Sequence, residues 1–402
     1  MTRDRRLLTL LGALYLAQGL PFGFFTQALP VMLREAGVSL ERIGLASLLA
    51  APWALKFLVA PWVDGTRSRR LWVLVLQLSG AALLILASAL EPGWLPALLV
   101  VVFLVNAVAA SQDIATDAIA VDALPPSRRG LANALQVGAY RVGMIIGGGA
   151  LLVAFEWIGW SGVFLAMAAM TLLTTLPVSR WREPPRVPTK DAPSLAGFFR
   201  RADAAPLLTV LFLFKFGEAF GVAMLKPALV DFGASLSDVG VLVGTFGFVA
   251  GLLGAVVGGL LVNRLGRRSA LLGFGALQAC AVLAYAFIDR ATAWRDLAAI
   301  VSFEHFAGGL ATTTLFTCIM DWCRPGHSAT DATVQASTVV VATLLASAGS
   351  GFSAQTFGHH LHFVLAAFLA MGAVVASALL LKRVHPKEAP CASPSTPAAS
   401  TP

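Results

Sequence analysis

Charge is scarce in this sequence. Asp, Glu, Lys and Arg make up 12% of the 402 residues, against about 25% in soluble domains. With 57% hydrophobic residues and a mean hydropathy of +0.79, that scarcity excludes a water-soluble globular chain. Alternating strands of the kind that close a membrane barrel are missing as well; the apolar runs are long and continuous, so helices must do the spanning. The four cysteines, Cys280, Cys318, Cys323 and Cys391, show neither CxxC nor metal-ligand spacing, which leaves no disulfide framework or zinc site to read. No P-loop, nucleophile elbow, zinc motif or glycine fingerprint follows a strand, and no soluble stretch is large enough to house one. The chain therefore reads as a non-enzyme without cofactor or metal, and a single-chain ATP-driven pump is excluded on the same ground.

What is present is a series of apolar runs of roughly 20 residues, each long enough to cross a bilayer core. There are twelve, at 7–29, 43–63, 71–90, 96–122, 131–154, 161–179, 207–229, 239–262, 270–288, 297–320, 333–354 and 361–381. They predict an all-α polytopic membrane protein with twelve transmembrane helices in two pseudo-symmetric six-helix bundles. The first run follows Arg3, Arg5 and Arg6 and mimics a signal peptide, but it stays apolar past Gln18 and is matched in the second half. With both termini in the cytoplasm, 21 Lys and Arg face that side and four (Arg34, Arg42, Arg290, Arg295) face outward. The positive-inside rule thus places both termini in the cytoplasm, for a multi-pass protein of the inner membrane. The net charge of +8 reads as a topology signal and not as a nucleic-acid footprint; the expected partners are the bilayer and a small-molecule substrate, with the chain acting as a monomer. A Pro- and Arg-rich loop at 180–206 separates a bundle at 1–179 from one at 207–386, and the low-complexity tail at 387–402 reads as disordered.

The halves repeat each other. Gly37-Val38-Ser39-Leu40 with Ile43-Gly44 returns as Gly233-Ala234-Ser235-Leu236 with Val239-Gly240, 196 residues on. Asp64, Asp122, Pro126 and Gln136 return as Asn263, Asp321, Pro325 and Gln335, 199 residues on. Repeats of this kind build many transporters, with the binding site between the halves.

Ionisable side chains inside apolar runs are costly and mark candidate functional sites. Asn106, Asp113 and Asp117 share one helical stripe of the fourth run. Asp113 and Arg141 count to about the same depth at 1.5 Å per residue, which predicts an ion pair between them, functional or purely structural. Asp117 lacks an obvious partner at its level and is the preferred proton carrier. Lys215, Glu218 and Lys226 share a stripe of the seventh run, where the Lys215–Glu218 spacing fits either mutual neutralisation or a proton or substrate role for Glu218. Lys56 either snorkels to the nearby surface or lines the substrate path. Glu304 and His305 suit a proton relay, or a packing histidine. Gly147-Gly148-Gly149 and Gly247, Gly251, Gly254 and Gly258 read as helix-packing surfaces. His359, His360 and His362 are expected as exposed loop residues, and Phe22, Phe24 and Phe25 either stack on a ligand or fill the core.

Gly259-x-x-x-Asn263-Arg264-x-Gly266-Arg267-Arg268 resembles the cytoplasmic loop motif of the major facilitator superfamily, G-x-x-x-D-R-x-G-R-R, with Asn263 standing where the family has Asp. The first-half copy keeps Asp64 but has Ala60 for the first glycine. The resemblance implies a gate and topology device at these positions. A narrower set, Leu16-Ala17-Gln18-Gly19-Leu20-Pro21, Leu55-Lys56-Phe57-x-x-Ala60-Pro61 and Ser111-Gln112-Asp113-Ile114-Ala115-x-Asp117, resembles the AmpG and acetyl-CoA transporter branch. That branch includes muropeptide permeases, which carry further C-terminal spans, and siderophore permeases of the RhtX/FptX type. Phe303-Glu304-His305-Phe306-Ala307-Gly308-Gly309 with Gln335-Ala336-Ser337 looks more like the siderophore permeases.

These readings converge on a proton-coupled secondary transporter importing a polar solute by alternating access. Asp113, Asp117, Glu218 and Glu304 are the proton-coupling candidates; Gln18, Lys56, Asn106, Gln112, Arg141, Lys215 and His305 are the substrate-path candidates. The resemblance implies the import direction and a siderophore or ferric siderophore, with a muropeptide and then acetyl-CoA as alternatives. A passive channel or structural membrane protein is the reading outside the transporter class.

Overall fold

The computed structural model describes residues 3–25, 29, 49, 51–66, 68–90, 94–184 and 193–384. Every regular element among them is helical. The first copy of the glycine repeat at 37–44, the outer Arg34 and Arg42, and the tail at 387–402 lie outside the described residues.

The N-terminal set comprises α1 (Arg3–Gly23), α2 (Ala51–Leu55), α3 (Ala60–Gly65), α4 (Arg69–Ser88), α5 (Leu95–Ala123), α6 (Pro126–Ile145) and α7 (Leu151–Arg180). After the short α8 (Leu195–Phe199), the C-terminal set comprises α9 (Ala204–Val222), α10 (Leu225–Asp231), α11 (Leu236–Val239), α12 (Phe248–Leu265), α13 (Arg267–Ala284), α14 (Trp294–Asp321) and α15 (Ser328–Leu380). A 3-10 turn at Lys56–Leu58 divides α2 from α3, where Pro61 sits in the first turn of the new helix and needs no N–H partner there. Wide π-turns at Ile146–Ala150 and Gly240–Gly247 lead into α7 and α12. Gly159 (φ 64) breaks α7 and Gly358 (φ 76) breaks the 53-residue α15.

Among the described residues, seven helical stretches are long and apolar enough to cross a membrane: Arg69–Ser88, Pro96–Ala123, Val153–Arg180, Ala204–Asp231, Gly240–Leu265, Arg267–Phe287 and Ser328–Leu380. The sequence led to an expectation of twelve. The last two apolar runs lie within α15 on either side of the kink at Gly358, and the second run, which contains the 3-10 turn at Lys56, lies partly outside the described residues. Three long helices fall outside the seven, and they carry polar side chains: α1 has Gln18, α6 has Arg128, Arg129, Asn133, Gln136 and Arg141, and α14 has Glu304 and His305.

Those three polar helices lie toward the centre. α1 packs on α6, α12 on α14, and α6 of the first set packs on α12 and α14 of the second; α15 packs on α3 and α5. One apolar core runs through both sets, joining Leu14, Ile114 and Val121 to Leu310, Met320 and Val334. Leu71, Leu78, Leu253, Leu260 and Phe368 are exposed on outer helices, as a lipid-facing surface requires. Where α6 crosses α12 the backbones touch: a Cβ on Gly130 would lie 2.3 Å from the Gly259 carbonyl oxygen, and one on Gly259 would lie 2.4 Å from that of Gly130. Small residues permit this approach between the sets.

Candidate functional site: two buried acid clusters and a clasp between the helix sets

The stripe expected on α5 is present. Asn106 and Asp113 are buried and Asp117, one turn further on, is half-buried. Lys56 reaches in from the 3-10 turn and forms an ion pair with Asp113, both side chains being about nine-tenths buried. The expected Asp113–Arg141 pair does not form, and Lys56 does not snorkel. Breaking the helix at Lys56 frees its stem to point inward, and Arg141 is rotated about α6 toward the other helix set.

Asp117 has partners the sequence did not disclose. Its Oδ1 accepts from the Tyr15 hydroxyl at 3.0 Å and from Gln136 Nε2 at 3.2 Å. Both donors are neutral, so Asp117 has no cation of its own within ion-pair distance among the described residues. It borders a crevice of about 10 Å³ that is closed on the far side by Phe316, Ile319 and Met320 of α14, room for about one water. Gln18 Nε2 donates to Thr116 Oγ1 at 3.0 Å, and Asn106 Oδ1 accepts from Trp53 Nε1 at 3.0 Å. Gln112 is buried with its amide nitrogen unbonded.

The C-terminal set has its own cluster. Glu304, 3% exposed, accepts from the Tyr285 hydroxyl at 2.8 Å and from Gln278 Nε2 at 3.5 Å. His305 Nδ1 lies 3.1 Å from Glu304 Oε2 and 3.0 Å from the Val301 carbonyl oxygen, so the expected Glu–His neighbours are in contact. Lys215 and Glu218 neutralise each other at 2.5 Å. Arg141 crosses to this side: its guanidinium stands 5.9 Å from the Phe248 ring centroid and packs against Gly251.

Of the three tyrosines in the chain, Tyr15 bonds the half-buried Asp117 and Tyr285 the buried Glu304. Their scarcity in an apolar sequence is the signal that could have singled them out. Nothing in the sequence singles out Gln278. Of the histidines on α15, His360 is exposed as expected, while the other two correct the sequence reading. His362 is fully buried between Ser353 Oγ (3.0 Å) and the Phe220 carbonyl (3.1 Å), and His359 meets Asp231 at 2.6 Å. Among the described residues no group of three His, Cys, Asp or Glu could hold a metal. Phe24 and Phe25 are buried in an apolar core, while Phe22 stands edge-on to Trp53 at 5.5 Å.

At the basic end of the bundle the sets are clasped together. Arg69, 1% exposed, bonds Asp64 at 2.8 Å and Ser328 Oγ at 2.8 Å, and also pairs with Asp122. Asp64 accepts from Ala329 N (3.1 Å) and from Thr330 N (2.8 Å) at the start of α15. The repeat does the converse job. Asn263 Nδ2 donates to the Ser127 carbonyl at 2.7 Å, and Arg267 donates to the Pro126 carbonyl (2.6 Å), to Asn263 Oδ1 (2.5 Å) and to Asp321 (2.7 Å). Arg129 reaches Asp321 from the other side at 2.6 Å. Arg268 donates to the Ala378 carbonyl at 3.0 Å and Arg264 is exposed, while Gly266, at φ 79, makes the turn between α12 and α13 that a side chain would resist. Arg324, bonded to Asp331 at 2.7 Å, is held above its ordinary value by that hydrogen bond. Beneath the clasp lies a cavity of about 240 Å³ lined by Arg69, Asp122, Arg129, Glu183, Cys323 and Arg324.

The family description "Major Facilitator Superfamily" matches residues 11–221 and 207–400. The chain belongs to that superfamily. It is a membrane carrier of small molecules and not an enzyme. An anhydromuropeptide permease of Escherichia coli (strain K12) is 33% identical over 333 residues, covering 78% of this chain and 67% of the permease. A putative transporter AmpG 4 of Rickettsia felis is 23% identical over 92% of this chain and 95% of its own length. Among solved structures, the E. coli fucose:proton symporter FucP superposes with a TM-score of 0.72 at 16% identity, over 94% of this chain and 98% of that one. The human organic anion transporter MFSD10 superposes with a TM-score of 0.73 at 17% identity, over 94% of this chain and all of that one. At such identities these two structures speak for the fold alone.

Proposed function

We propose that the chain is a proton-coupled importer of the inner membrane whose solute is an anhydro-muropeptide or a close chemical relative. The observation that carries the coupling is Asp117, a carboxylate within an apolar run held, among the described residues, by Tyr15 and Gln136 alone, beside the Lys56–Asp113 pair and against the opposite helix set. Protonating such an acid removes the penalty of keeping a charge out of water, and the sets can then rock past one another. Glu304, shielded by Tyr285 and Gln278, is the second carboxylate able to exchange a proton, and Glu218 exchanges one only on release from Lys215. The clasp is the gate on the cytoplasmic side. Both termini lie on that side, which the excess of Lys and Arg supports. In this reading the chain divides into bundles at 1–179 and 207–386, with twelve spans in all, and works as a monomer; the family matching twice along the chain supports the two-part division alone.

The substrate reading follows the 33% identical permease. Sequence alone favoured a siderophore, but that preference rested on the short runs Phe303–Gly309 and Gln335–Ser337. Acetyl-CoA fits less well, because Lys56 and Lys215 are already engaged by acids and cannot meet its phosphates. The test is an uptake panel in cells lacking their own permeases, comparing labelled anhydro-muropeptide with a labelled ferric siderophore. Accumulation of the first, abolished by a protonophore, is the expected result. Accumulation of the siderophore instead overturns the substrate, and uptake indifferent to the protonophore overturns the coupling.

A further inference from the structure

We propose that Arg141 is the receptor for a carboxylate on the transported solute, held at the seam between α6 and α12; this rests on the transporter reading above. Four cations among the described residues lie within apolar runs, Lys56, Arg141, Lys215 and Lys226, and the last of these is exposed. Lys56 is taken by Asp113 and Lys215 by Glu218. Arg141 has no carboxylate within ion-pair distance among the described residues. The acids whose fields reach it are Glu304 and Glu218, and both are engaged, Glu304 by Tyr285 and His305 and Glu218 by Lys215. An unpaired cation at such depth is costly, and its persistence calls for a partner that comes and goes.

The surroundings are shaped for it. Phe248 stands 5.9 Å from the guanidinium carbon, close enough for its ring to stabilise the cation. Gly251 makes the room: a Cβ there would lie 2.6 Å from Arg141 Nη1, and the next contact is the His305 carbonyl oxygen at 3.3 Å. No hydrogen bond engages the guanidinium N–H groups among the described residues. That leaves the planar fork which grips a carboxylate in two parallel bonds. Because Arg141 belongs to the N-terminal set and is seated on the C-terminal set, a carboxylate bound there touches both. Its affinity must then change as the sets rock, which a carried solute requires.

The test uses the purified full chain and thermal-shift titration with anhydro-muropeptide as its free acid and with the same molecule fully amidated. The acid should bind about tenfold to a hundredfold more tightly than the amide, the worth of a charge-assisted bond. Arg141→Gln should abolish that difference, and Arg141→Lys should restore part of it. Gly251→Ala, whose methyl group would press on the movable end of Arg141 at 2.6 Å and touch the His305 carbonyl oxygen at 3.3 Å, should weaken the acid alone. Equal binding of acid and amide, no binding of the acid, or an unchanged preference in Arg141→Gln each overturns the proposal. The uptake panel reads separately: acid-selective binding without muropeptide uptake would leave the receptor and sink the substrate reading, and uptake without acid selectivity would do the reverse.

Discussion

Asp64 of α3 holds Thr330 of α15 twice, accepting from its backbone N–H at 2.8 Å and from its hydroxyl at 2.7 Å. The two residues are 266 positions apart, and the carboxylate occupies the place a capping side chain would take at the start of a helix, where N–H groups lack partners and the dipole favours negative charge. The N-terminal set thereby caps a helix of the C-terminal set.

That relation predicts how the proposed gate fails. Asp64→Asn keeps the shape but turns one oxygen into a donor facing other donors. Losing charge-assisted bonds of this kind costs about 1.5–3 kcal/mol, so the clasped state should lose about tenfold to a hundredfold in population. Cys323 reports it, since it lines the cavity under the clasp and burial pushes its thiol well above the ordinary value, keeping it protonated and slow to react. With Cys280 and Cys391 replaced by Ser and the buried Cys318 by Ala, maleimide labelling of Cys323 should accelerate in Asp64→Asn. Labelling at the wild-type rate would mean that Asp64 does not hold the clasp shut.

The Lys56–Asp113 pair gives a second expectation. Removing one partner of a buried pair leaves an uncompensated charge and costs about 3–5 kcal/mol, whereas removing both is far milder. Lys56→Met and Asp113→Asn should each lower the melting temperature in detergent, and the double variant should recover most of the loss. The same cycle between Asp113→Asn and Arg141→Gln should be additive. Coupling there and none with Lys56 would refute the pairing.

Much of this arrangement was legible from spacing, and the rest was not for identifiable reasons. Asn106, Asp113 and Asp117 fall on one face because helical periodicity fixes their mutual angles, whatever surrounds them. Depth could also be counted, and it placed Asp113 level with Arg141. Rotation about the helix axis could not, and it is rotation that sends Arg141 to Phe248 and Gly251. Lys56 was ambiguous because its direction depends on a 3-10 turn that apolar composition does not announce. Tyr15 reaches Asp117 from 102 residues away, and no local pattern encodes a contact of that kind. The clasp motifs were visible as repeats, and although the first copy has Ala60 for the first glycine, the structure buries its Asp64 (6% exposed) and leaves Asn263 of the second copy open to solvent.

Asn263 departs from the family pattern, and the structure makes that departure consequential. Its amide nitrogen donates to the Ser127 carbonyl at 2.7 Å while its oxygen accepts from Arg267 at 2.5 Å. Asn263→Asp restores the family residue but sets a carboxylate oxygen against a carbonyl oxygen. The site is exposed, so the cost should be modest, about 1 kcal/mol, seen as severalfold faster Cys323 labelling. Slower labelling would show that the carboxylate finds a better partner, and that Ser127 is dispensable to the clasp.

On the proposed mechanism, Asp117 is the position at which coupling is tested. If it carries the proton, Asp117→Asn fixes it in a neutral state that the Tyr15 and Gln136 donors still tolerate, because an amide oxygen accepts as the carboxylate oxygen did. Folding should survive, and so should exchange of labelled for unlabelled solute across the membrane, which needs rocking but no net proton movement. Accumulation against a gradient should vanish. Tyr15→Phe removes one 3.0 Å bond and stabilises the ionised acid less, so it should shift the pH dependence of uptake upward without abolishing accumulation. The measurement is paired, with exchange and accumulation assayed in the same proteoliposomes under an imposed proton gradient. Loss of both activities together would make Asp117 a structural residue, and retention of both would pass the proton to Glu304.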